Sequence, residues 1–176
     1  MIPDTAHTAG SLGTNWVSDV VLHNTGGRTA TATLYYLEKD LDNTGALGWK
    51  VTVPAWKSVK LLDVVEDTFA RSSSSGAILI GAEREVVVTS RTYNDASTGT
   101  YGQYIEGYSS GRAVRTGEAV RLIQLSRNSN YRTNVGFASL VDGVRGRREG
   151  SHVDGSSGQQ VHEVGQVAPL GQADVA

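Results

Sequence analysis

"NWVSDVVLHN", residues 15–24, alternates along its whole length. Trp16, Ser18, Val20 and Leu22 fall on one side and Val17, Asp19, Val21 and His23 on the other, the period of two of a β-strand. The chain around it repeats the form. "NTGGR" (24–28) turns, and "TATATLYYLE" (29–38) alternates Thr with Ala before Leu34 and Tyr36 oppose Tyr35 and Leu37. "KDLDNTGALG" (39–48) reads as a loop, and 49–53 as a hairpin strand closed by Pro54. Short strands follow at 58–62, 77–81, 86–93 and 100–105, the second and third of these four joined by "AERE". One stretch, "DVVEDTFARSSSSG" (63–76), carries a helical signal: Asp63 as a cap with Glu66 three residues on predicts one or two turns. The expected fold is all-β, an antiparallel β-sandwich of seven to eight strands.

Composition agrees. Gly is frequent at 21 and Pro scarce at 3, and hydrophobic residues make up 39%, enough for a core. Cysteine is absent, which removes disulfides, Cys-ligated zinc and thiol nucleophiles together. No apolar run approaches the length that crosses a bilayer, and no basic-then-apolar leader opens the sequence. The net charge of -2 argues against a nucleic-acid role. Arg112, Arg115, Arg121, Arg127, Arg132, Arg145, Arg147 and Arg148 nonetheless face only Glu118 and Asp142 in their segment. A solvated surface pairing with the acidic front portion is the expected use of these arginines.

The chain then begins again. "NYRTNVGFAS" (130–139) aligns with 15–24, Tyr131 matching Trp16 and Phe137 matching Leu22. "QVAPLGQADV" (166–175) aligns with "VTVPAWKSVK" (51–60), and Trp16 to Pro54 and Tyr131 to Pro169 are both 38 positions (54 - 16 and 169 - 131). The predicted organisation is one complete unit over 1–112 and a partial second copy over 113–176, docked on the first unit or on another chain. The second unit stops in mid-pattern at Ala176, which reads as a cut.

The order "IPDTAH", "TNWVSDVVLHN", "TATLYYL", "VTVPAWKSVKL", "VVVTSRTYN" and "GTYGQYI" resembles a β-sandwich repeat of large secreted bacterial proteins of unassigned function. More distantly it is similar to the sensory rhodopsin transducer family, over roughly residues 2–108 and in part 121–175. The secreted repeats often carry Arg directly after the aromatic of the first strand. Val17 holds that place in the first unit and Arg132 in the second. The resemblance implies an extracellular or cell-envelope setting, self-association and a sandwich of carbohydrate-binding type.

Several residues are candidates for chemistry. Asp40 and Asp42 begin a calcium-loop pattern that breaks at Thr44 and lacks the closing Glu, Val51 standing at the twelfth position, so a hairpin loop is preferred. Arg71–Gly76 supplies hydroxyls that His7 or His23 would have to reach, and reads as a flexible Ser-rich turn. Glycoside hydrolysis needs two carboxylates about one bond. Asp19, Glu38 and Glu106 lead the candidates, with Glu83 and Glu85 also at strand ends. Asp19 sits among apolar residues in mid-strand and is expected to face solvent or to pair with Arg91, because an unpaired buried charge is costly. Arg91 itself is expected where its strand passes from core to rim. Tyr93, Tyr101, Tyr104 and Tyr108 cluster about the last hairpin, and with Arg91, Trp49 and Trp56 form a candidate ligand-binding set, suited to protein interfaces and to sugar rings. The expected function is a non-enzymatic interaction or structural repeat module with a protein partner or self-association. A carbohydrate-binding module and a small glycoside hydrolase are the alternatives, and no cofactor is expected.

Overall fold

The computed structural model describes residues 1–114 together with 118, 121 and 123. Eight strands run in chain order: β1 (Ile2–Ala9), β2 (Asn15–Asn24), β3 (Ala30–Glu38), β4 (Gly48–Val53), β5 (Ser58–Leu61), β6 (Ser74–Ala82), β7 (Val86–Ala96) and β8 (Gly99–Glu106). All the pairings are antiparallel, and the protein is all-β. The order across the sheet is β4-β3-β6-β1-β2-β7-β8, with β5 added to β2. Nearly all of the expected second copy over 113–176 lies outside the described residues.

β1 belongs to two leaves. Its first part pairs with β6, from Ile2 opposite Ile78 to His7 opposite Ser74, and its end pairs with β2 at Thr8 and Ala9. The register shifts between Ile2 and Thr5, where Pro3 and Asp4 stand. A proline has no N–H for a ladder and is accommodated at such a bulge. Beyond β1, β2 pairs with β7 along its full length, Trp16 to Asn24 against Asn94 to Val86.

The two leaves share one core. Ile2, Val20, Leu22, Leu34, Val53, Val64, Val65 and Ile78 are fully buried in a single cluster, with Val59, Leu61, Phe69, Ile80, Val88 and Ile105 packed around it. β2 contributes its even-numbered residues to this core, β3 and β6 theirs, and each buried Val, Leu or Ile is worth roughly 1.5–3 kcal/mol. The helical signal after β5 becomes a single π-type turn, Val64–Thr68, whose Val64 and Val65 fill the core. Asp63 does not cap it: its backbone is left-handed at φ 37° and its carboxylate turns to His7 instead. No helix among the described residues is long and apolar enough to cross a membrane.

Candidate functional site

The outward face of the leaf β2-β7-β8 collects most of the polar candidates. β2 has a neighbour along both of its edges, and Asp19 is only 7% exposed. Along one edge of β2 the neighbour is first β1, at Asn15 and Trp16, and then β5, from Val20 onward. Between them lies a gap at Val17–Asp19 that no ladder fills. Side chains fill it: the Ser18 hydroxyl accepts the N–H of Ala6 at 2.8 Å, and Asp19 Oδ1 accepts the N–H of Asp63 at 3.1 Å. Asp19 Oδ2 lies 3.0 Å from Lys60 Nζ, and the Tyr93 hydroxyl donates to Oδ1 at 3.4 Å. Asp63 continues the series, its Oδ2 2.7 Å from His7 Nδ1 and its Oδ1 buried without a partner.

The expected Asp19–Arg91 pair does not form. The two are opposite in the β2–β7 register, but Lys60 reaches the carboxylate from β5 while Arg91 turns outward. The Arg91 guanidinium lies 4.6 Å over the Tyr93 ring and donates to the Thr100 hydroxyl at 2.8 Å. Arg91 thus stands in mid-strand on the solvent face, not at a rim. Burial first, and then the negative charge of Asp19, pushes the Tyr93 phenol above its ordinary value, which keeps it a donor.

The aromatic set is split. Tyr104 stands opposite Arg91, and Gly102 opposite Tyr93, so Tyr93, Arg91 and Tyr104 make one row on the outward face. Tyr101, opposite Asn94, points to the other face. Tyr101 and Tyr104 are 66% and 67% exposed. Tyr108 lies past β8, where it exchanges two backbone hydrogen bonds with Met1 and carries Arg112 4.8 Å over its ring. Trp49 stands at the start of β4 opposite Leu34, and Trp56 in the turn beyond the far end of β4, against Gly27. The two tryptophans are therefore not part of the tyrosine row.

The carboxylates are dispersed as well. Glu38, at the end of β3, accepts from the Ser74 hydroxyl at 2.9 Å and lies 3.5 Å from Arg71. Glu106 pairs with Arg112 at 3.2 Å. Asp19 and Glu106 share a face but stand two strands and two registers apart, on the order of 12 Å between Cα atoms. Glu83 and Glu85 lie exposed in the β6–β7 connection. Asp42 Oδ1 is taken by the N–H and hydroxyl of Thr44, which hold its carboxyl below the usual range, and Asp40 pairs with Lys39. Among the described residues no three His, Asp or Glu side chains converge on a metal position.

The Ser-rich run 71–76 is not a flexible turn throughout. β6 begins at Ser74, which is buried and whose hydroxyl bonds Tyr36 at 2.8 Å. His7 stands opposite Ser74 but bonds Asp63, and His23 bonds Ser58 at 2.9 Å. Tyr36 stacks on Phe69 with centroids 5.3 Å apart. Burial, offset in part by the Ser74 bond and reinforced by Glu38, pushes its phenol up to about 12. Its folded value therefore exceeds the unfolded value of 10.0, so the stability it contributes is full below pH 10 and falls as pH rises toward 12. Thermal melts from pH 9 to 12 are expected to show a steeper alkaline loss in the wild type than in Tyr36→Phe. Equal slopes would mean the phenol titrates normally.

Neither a family model nor a curated protein matches the sequence. Among solved structures, the chain is similar to the crystal structure of Thermotoga maritima 1070, at 17% identity and a TM-score of 0.50, over 61% of this chain and 90% of that one. At that identity the likeness concerns fold.

Proposed function

We propose that the protein is a non-enzymatic interaction or structural module, one unit of a secreted or cell-envelope protein related to the β-sandwich repeats it resembles. The observation that carries this reading is β8. It is an edge strand with seven of its eight residues exposed, two of them tyrosines, and no strand among the described residues covers it. An exposed edge can take a strand from another chain, and exposed Tyr is enriched at protein interfaces. The candidate carboxylates support the same reading, since Asp19, Glu38 and Glu106 are each engaged by a different cation.

Polysaccharide binding is the second reading, favoured by the Tyr93–Arg91–Tyr104 row. Incubation with a panel of soluble and insoluble polysaccharides, scored for retention and for new reducing ends, separates the readings. The module is expected to give neither. Retention lost in Tyr104→Ala would install the sugar-binding reading. Cleavage abolished by Asp19→Asn with the fold intact would overturn both.

A further inference from the structure

We propose that the partner of β8 is a second copy of the chain, the two β8 strands pairing antiparallel about a twofold axis through Gln103. This rests on the interaction-module reading and names its partner. Among the described residues three strands leave an edge open. β4 carries Lys50 and is closed by Pro54, and β5 is four residues long with Lys60, features that resist strand addition. β8 has no Lys, no Pro and an unbroken register against β7.

The phase of the ladder fixes which groups are free. Gly107 donates its N–H to Val88 O, so in β8 the odd-numbered residues bond β7. The N–H and C=O groups of Thr100, Gly102, Tyr104 and Glu106 therefore point away from the sheet. The free run ends there, because the next such residue, Tyr108, is bonded to Met1. A twofold axis normal to the sheet pairs residues of equal parity, and the register centred on Gln103 overlaps the two free runs completely.

That register is self-complementary at each position. Tyr104 of each copy faces Gly102 of the other, where an aromatic ring has a bare backbone to cover. Glu106 faces Thr100, the residue that holds Arg91, so opposite charges meet across the junction twice. Tyr101 faces Ile105 on the other face, and the two Gln103 amides meet at the axis. The Gln103 pair is of the non-hydrogen-bonded kind, with Cα atoms about 4.5 Å apart, a separation that a disulfide spans.

Sedimentation equilibrium of the full chain is expected to give twice the monomer mass as concentration rises. Tyr104→Pro removes an N–H that no described residue of the monomer uses, and is expected to give a folded monomer with an unchanged circular dichroism spectrum. The chain has no cysteine, so Gln103→Cys under mild oxidation is expected to yield a covalent dimer, and Ser97→Cys to remain unlinked. Monomer at every concentration overturns the proposal. So does a dimer that survives in folded Tyr104→Pro, or one in which Gln103→Cys does not cross-link. A monomer would leave the module reading in place with a different partner, whereas that reading falls only to polysaccharide retention or cleavage.

Discussion

Gly76→Ala is expected to lower stability by about 3 kcal/mol, the upper part of the range for overpacking a filled interior. A methyl group built at Gly76 lies 2.2 Å from the carbonyl oxygen of Leu37 and 3.0 Å from Cα of Glu38, both backbone atoms of β3. On its other side Gly76 pairs with Thr5 of β1, whose hydroxyl donates to the Gly76 carbonyl at 2.9 Å. β6 cannot move away from β3 without pressing on β1, so relief would have to come from losing ladder on one side. Urea unfolding checks this: the midpoint should fall at unchanged slope. A loss under about 1 kcal/mol would show that β3 yields locally.

Asp19→Ala is expected to cost a similar amount, about 3 kcal/mol, for a different reason. The substitution leaves the Asp63 N–H without its acceptor in the gap beside β2, and removes the acceptor of the Tyr93 hydroxyl. Lys60 adds little to this sum, because its side chain is 55% exposed and water can replace its partner. Asp19→Asn keeps an oxygen for the Asp63 N–H and should cost only about 1 kcal/mol. Equal losses in the two variants would mean that the Lys60 charge, not the backbone bond, is what Asp19 serves.

Much of this frame was legible in the chain. β2 was read with its observed ends, and its two faces were assigned as the structure has them, because a strand with one mostly apolar side announces its period. β3, β4, β5 and β8 were each read to within a residue at either end. β1 was not legible as a strand: Pro3 and Asp4 break its alternation, and the bulge that absorbs them is a property of the pairing with β6. The start of β6 was lost for a related reason. Ser74, Ser75 and Gly76 have turn composition, and only Tyr36 and Glu38, some forty positions earlier, make a buried strand of them. Asp19 was singled out correctly as unusual, but its partner was not. Arg91 is opposite in register, while Lys60 comes from a strand whose placement beside β2 has no local signature. The tyrosines looked like one cluster because they are close in sequence, and pleating sends Tyr101 and Tyr104 to opposite faces.

The double membership of β1 bears on how the chain is made. β1 and β2 leave the ribosome before the other strands of the unit, yet each takes its principal partner from much later: β1 from Ser74 onward and β2 from Val86 onward. At 5–20 residues per second, the intervening sixty or so residues take roughly 3–12 s to synthesise. For that time the opening strands have only each other at Thr8 and Ala9, and then β5 along Val20–His23, while the rest of their ladder groups wait. Folding of the unit is thus a late event, timed by the arrival of β6 and β7, and the opening segment with its Pro and Asp is the part that must stay unpaired longest.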